Sequence, residues 1–216
     1  MDKIERAIAQ AFTPELVAHG FELKRDWGSF VRRQPYGFDA LVVVNQGSAS
    51  TEYFEIACYG HIHHDRIEIP WNTSGFIYGE DNQQQTWTVL LSRPKNQPHW
   101  KIFPASLAAD AANVALEIAA YFSQYALPFY QRFADVSEVE MLANTIPMVD
   151  SAKLSPYSVG GPLDHQAMRS LLLAKAVNPE RYAQVREAFI TSPKKTLFPR
   201  DKCMKMVERI DAMEAV

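Results

Sequence analysis

Residues 21 to 63 read FELKRDWGSF VRRQPYGFDA LVVVNQGSAS TEYFEIACYG HIH, and this stretch decides the fold class. Four runs within it are rich in aromatic and β-branched residues: Phe21 to Arg25, Phe30 to Gln34, Phe38 to Asn45 and Thr51 to Ile62. Such side chains favour the pleated, half-buried surface of a sheet. Gly47-Ser48-Ala49-Ser50 is a hairpin-type connection between the last two runs. The longest run alternates. Phe54, Ile56, Cys58 and Ile62 fall on one face, and Tyr53, Glu55, Tyr59, His61 and His63 on the other. A fifth alternating run covers Thr86 to Leu91. The order predicts a mainly antiparallel sheet of about five strands.

Helical periodicity flanks the sheet. Upstream, Ile4, Ala7, Ile8, Ala11 and Phe12 form one stripe. Thr13-Pro14-Glu15 then reads as a cap followed by a first-turn proline, where the helix bends or restarts, and Gly20 reads as its stop. Downstream, Ser106 is placed to cap a long helix with the stripe Leu107, Ala111, Val114, Ile118, Phe122 and Tyr125. Pro128 should bend or end it, and Phe129, Tyr130 and Phe133 should anchor that end. Ser137 and Glu140 have the spacing of a capping box for a short helix. Residues 70–85 and 92–99 read as loops.

Pro147, Pro156, Gly160, Gly161 and Pro162 mark the clearest boundary, and three helical patterns follow it. The expected organisation is an α+β core domain at 1–147, a linker at 148–162 and a C-terminal helical subdomain at 163–216 packed on the core.

At 216 residues, with 47% hydrophobic and 22% charged residues, the chain can bury a core without disulfide or metal staples. Cys58 and Cys203 sit among apolar neighbours and are expected to be reduced and buried. No basic-then-apolar leader opens the sequence and no run suits a membrane span, so a cytoplasmic protein without a membrane partner is expected. Residues 1–150 carry 11 Lys/Arg against 18 Asp/Glu, and residues 151–216 carry 11 against 7. An acidic main part disfavours nucleic acid as its partner, because phosphate contacts need a basic face. The basic C-terminal helices keep nucleic-acid contact open as a third reading.

Candidate chemistry is sparse. His61 and His63 lie two apart on one strand face, so both rings could grip one metal, with His64 and Asp65 nearby. The metallo-β-lactamase pattern continues with x-Asp-His and fails here after His63. Asp39 and Glu55 are spaced as in a restriction-type nuclease, but Glu55-Ile56-Ala57 lacks the lysine. No phosphate-binding glycine loop or nucleophile elbow occurs. Neither a metal nor a cofactor is expected. Arg32 and Arg33 project to opposite faces, and Arg32 is a candidate to bind an anion or a partner's carboxylate. The competing role for both is protection of an edge strand, or lying with their stems over apolar residues.

Gly20-Phe21, Phe30-Val31-Arg32, Ala126-Leu127-Pro128-Phe129-Tyr130 and Asn178-Pro179-Glu180-Arg181-Tyr182 together resemble the bacterial domain-of-unknown-function family numbered 4304. The resemblance implies an α+β fold and supplies no catalytic residues. It also implies that an immunity protein beside a bacterial toxin is a role to expect.

The leading expectation is a non-enzymatic protein-binding module, with a basic toxin domain as the expected partner. Tyr53, Glu55, Tyr59, His61 and His63 would form the binding face, with Arg32 as a further contact. Tyrosines offer rigid contact area with a polar tip. The alternative keeps those residues under the C-terminal helices. The competing function is a small-ligand or metal-dependent enzyme built on His61 and His63.

Overall fold

A computed structural model describes residues 3–24, 29–46, 53–73, 88–91, 100–103, 106–145, 157–159, 163–191 and 200–213. The fold is α+β, and its contacts divide the chain into two compact units. The first holds residues 1–61 and 91–131, and the second 62–90 and 132–216. The expected linker at 148–162 lies almost wholly outside the described residues.

The first unit opens with α1 (Lys3–Ala18). It does not restart at Pro14. Burial of Ile8, Phe12 and Leu16 along one face carries the helix through, and the Thr13 hydroxyl donates to the Ala9 carbonyl at 2.5 Å. Gly20 ends it with φ of +80°, a conformation glycine adopts without steric cost. The Phe21 N–H returns to the Leu16 carbonyl and the Gly20 N–H to that of Val17, a Schellman closure in which Leu16 and Phe21 are buried.

Next come β1 (Glu22–Lys24), β2 (Ser29–Gln34), β3 (Gly37–Asn45) and β4 (Phe54–His64), laid side by side in that order. The pairs β1–β2 and β2–β3 are antiparallel. The pairing with β1 reaches only Val31, so at Arg32 and Arg33 the described pairing of β2 is with β3 alone. The short β6 (Trp100–Ile102) pairs antiparallel with the start of β4, Glu55 opposite Lys101.

A continuous helical stretch covers the first unit's inner face: α3 (Leu107–Tyr121), a π-helical turn (Phe122–Ala126) and α4 (Leu127–Phe133), whose last two residues belong to the second unit. The helix therefore passes Pro128 instead of ending there. Proline has no N–H to give the preceding turn, and the wider hydrogen-bond spacing just upstream fits that loss. Phe122 is the hub of this core, with Phe12, Phe21 and Tyr130 rings 5.6–6.4 Å away. Tyr125, expected in the buried stripe, is 40% exposed, because the extra residue of the π turn rotates it outward. Gly60 marks a close approach: a Cβ there would stand 3.3 Å from Leu91 Cβ and 3.4 Å from the Phe129 ring.

β5 (Val89–Leu91), whose last residue belongs to the first unit, and β7 (Tyr157–Val159) follow the end of β4 in the sheet. The helix α2 (Asp65–Thr73) begins directly after β4. Its residues 70–73 correct the loop expected there. Ile67 and Trp71, one turn apart, are buried and hold the helix despite Pro70. The helix α5 (Val136–Thr145) is capped by Asp135, whose Oδ1 accepts from the Ser137 N–H, so the expected Ser137/Glu140 box is not the cap. Three helices follow: α6 (Leu163–Val177), α7 (Pro179–Thr191) and α8 (Arg200–Ala212).

The helix α6 is the centre of the second unit. It contacts α2, α5, β7, α7 and α8, and every residue from Ala167 to Ala174 is buried. One of these is charged. Arg169 donates through Nε and Nη2 to both carboxylate oxygens of Glu68, each at 3.0 Å, and lies 4.4 Å over the Trp71 ring. Cys58 and Cys203 are buried and not joined in a disulfide among the described residues. No described helix is long and apolar enough to cross a membrane.

Candidate functional site

Alternation along β4 sets Tyr53, Glu55, Tyr59 and His61 on the face opposite Phe54, Ile56, Cys58 and Ile62. Those four and Phe54 are half-buried, whereas Ile56, Cys58 and Ile62 are buried. His63 continues the alternation into the second unit. It is buried, its Nε2 3.2 Å from Asp65 Oδ1. His64 has the opposite sense, with Nε2 2.8 Å from the Phe133 carbonyl oxygen. That geometry separates it from the His61/His63 face on which a metal site was considered. Among the described residues no group of three or more His, Cys, Asp or Glu is arranged to hold a metal ion.

Two residues that periodicity did not single out complete the face. The β4–β6 register sets Lys101 directly across from Glu55. Lys101 Nζ stands 4.4 Å over the Tyr53 ring, and the Phe103 ring lies 6.2 Å from it. Phe103 is 50% exposed, yet its backbone is tied at both ends. Its N–H donates to Asp110 Oδ2 at 3.2 Å, and its carbonyl accepts from the Ser106 N–H at 3.1 Å. Ser106 Oγ bonds the same Asp110 carboxylate, so this serine braces the corner and makes no side-chain cap. An exposed aromatic on a fixed backbone offers contact area without loop ordering. The only sequence signal for these residues was the short alternation Trp100-Lys101-Ile102.

Further along the face, Gln46 Nε2 donates to the Tyr59 hydroxyl, and the Tyr59 and His61 rings are 6.4 Å apart. Burial pushes the His61 pKa down to about 3 and lowers that of His64 as well. Both are therefore neutral at pH 7. An unfolded histidine takes up its proton near pH 6.5, so this part of the stability is complete above that value and drains away as pH falls toward 3. At pH 4.5 His61 alone should cost about 1–2 kcal/mol, less than the full linkage because the residue as a whole is only half-buried. Denaturant titrations of wild type and His61→Gln at pH 7 and 4.5 check this. Equal acid losses in the two chains would refute it.

Arg32, the remaining candidate, already holds a carboxylate of its own chain. Its Nε and Nη2 donate to Asp39 Oδ2 at 3.0 and 2.8 Å, and Nη1 donates to the His19 carbonyl at 3.3 Å. Gln34 Nε2 and the Tyr36 hydroxyl donate to the same carboxylate, at 3.2 and 2.6 Å. The guanidinium lies 4.8 Å over the Phe21 ring. Asp39 is fully buried, and burial raises its pKa against the pull of these donors. This cluster closes the β2–β3 hairpin onto the end of α1.

The acidic excess of residues 1–150 does not correspond to one structural body. The first unit carries nine Lys/Arg against ten Asp/Glu, and the second 13 against 15. No known protein family, curated protein or solved structure matches the chain.

Proposed function

We propose that the chain is a protein-binding module rather than an enzyme, and that it docks its partner on the β4–β6 face around Tyr53, Glu55, Lys101 and Phe103. The observation that carries this reading is the half-exposed Phe103 on a fixed backbone, beside a tyrosine and next to the oppositely charged Glu55 and Lys101 positions. Aromatic anchors ringed by polar groups are what interface centres are made of. The toxin-neutralising role implied by the family resemblance belongs to the same class of module. Nearly balanced charge in both units gives it no separate electrostatic support, so the patch, not net charge, selects the partner.

The test uses the full chain as bait in native cells, with captured partners titrated against purified protein. Tyr53→Ala with Glu55→Ala should weaken binding by more than about 2 kcal/mol, roughly 30-fold, while the melting temperature barely moves. Unchanged partner affinity in the double variant would place the binding surface elsewhere.

A further inference from the structure

Resting on the reading of this face as a docking surface, we infer that its partner is a second copy of the same chain. The register is what points there. Across β4 and β6, Glu55 faces Lys101, and Tyr53 and Phe103 form the adjoining aromatic pair. The patch is therefore a small square with one negative and one positive corner and two aromatic corners.

A two-fold axis running along the strand direction, midway between β4 and β6, lays β4 of one copy over β6 of the other. Glu55 then meets Lys101 of the second copy, and Lys101 meets its Glu55. Tyr53 meets Phe103, and Phe103 meets Tyr53. All four contacts are complementary under one operation, which is the defining property of an isologous interface. A patch of single sign would repel itself under the same operation. Here the net charge is zero, and the aromatic row and the charged row lie side by side along the axis. Facing sheets pack about 10 Å apart, a gap that tyrosine, phenylalanine and lysine side chains fill from both sides.

Light scattering and sedimentation of the purified full chain over a concentration series test the inference. The expected species is twice the 24.5 kDa chain mass, dissociating on dilution and more readily in salt. Lys101→Glu alone sets acid against acid at both ion pairs, and Glu55→Lys alone sets base against base, so each should weaken self-association at least about tenfold. An equimolar mixture of the two single variants restores both opposite-charge pairs between unlike chains, and should dimerise nearly as well as wild type. Such rescue in trans cannot come from repair of the Glu55–Lys101 pair within one chain. Thermal melts confirm that each variant folds. Should either fail to fold, Phe103→Ser replaces it, with loss of the dimer expected and a persisting dimer counting against the proposal.

A wild-type monomer throughout the series would overturn the inference, as would a dimer indifferent to these substitutions or a mixture no better than its components. If the wild type is monomeric but still binds a different protein that the Tyr53→Ala/Glu55→Ala variant loses, self-pairing falls and the docking face stands. If that variant also binds normally, both fall.

Discussion

Replacing Arg169 by alanine should destabilise the second unit by about 3–5 kcal/mol, the largest single-residue effect expected in the chain. Its guanidinium is 2% exposed and Glu68 is not exposed at all. Removing the arginine leaves an uncompensated carboxylate inside and strips the cation from the Trp71 face. Protonation of Glu68 or entry of water sets the upper limit of the loss. Glu68→Ala should cost a similar amount for the mirror-image reason. The double variant Glu68→Leu with Arg169→Met should recover most of it, because two charges taken out of water together contribute little net stability. Equilibrium denaturation of the three variants is the measurement. Additive losses in the double variant would show that the pair stabilises the fold on its own account.

Arg32→Met should be the second large loss, about 2–4 kcal/mol at pH 7. Asp39 stays buried in this variant and keeps the Tyr36 and Gln34 donors, but it loses both charged ones. Asp39→Ala should cost less, since the arginine left behind is 23% exposed and reaches water. The pH dependence separates this loss from an ordinary packing defect. Without the arginine, the folded Asp39 pKa rises further above its unfolded value, so the folded state binds the extra proton. The gap to wild type should then narrow as pH falls from 7 to 5. Paired denaturation curves at both pH values decide it, and a gap that is constant or widens on acidification contradicts the account.

Strand existence was legible in this sequence wherever alternation ran long. The runs at Phe38 to Asn45 and around Phe54 to Ile62 became β3 and β4, with the predicted inner face on Ile56, Cys58 and Ile62. Two of the three-residue strands, β1 and β5, lay within predicted runs, whereas β6 and β7 were not legible. Three residues at Trp100 or Tyr157 contain too few alternations to stand out from loop, and β6 carries half of the proposed face. The Arg32–Asp39 pair was recoverable in principle. A two-residue turn at Pro35-Tyr36 sets Gln34 against Gly37, and the register then forces Arg32 opposite Asp39. Neither strand alone carries that signal; the hairpin does. Neither proline ended its helix, at Pro14 or at Pro128, because buried stripes on either side outweighed local propensity. The division into units was beyond the reach of sequence pattern, since the chain leaves the first unit after His61 and returns to it at Leu91.

The encirclement of α6 has a consequence for how this chain tolerates change over evolutionary time. A helix with one wet side offers selection a repeating set of free positions, and drift there leaves the familiar three-to-four-residue rhythm in related sequences. From Ala167 to Ala174 no such freedom exists. Divergent relatives should therefore preserve this octet as an unbroken block, with Arg169 and Glu68 retained or exchanged together, while α7, which has no buried residue, varies around it.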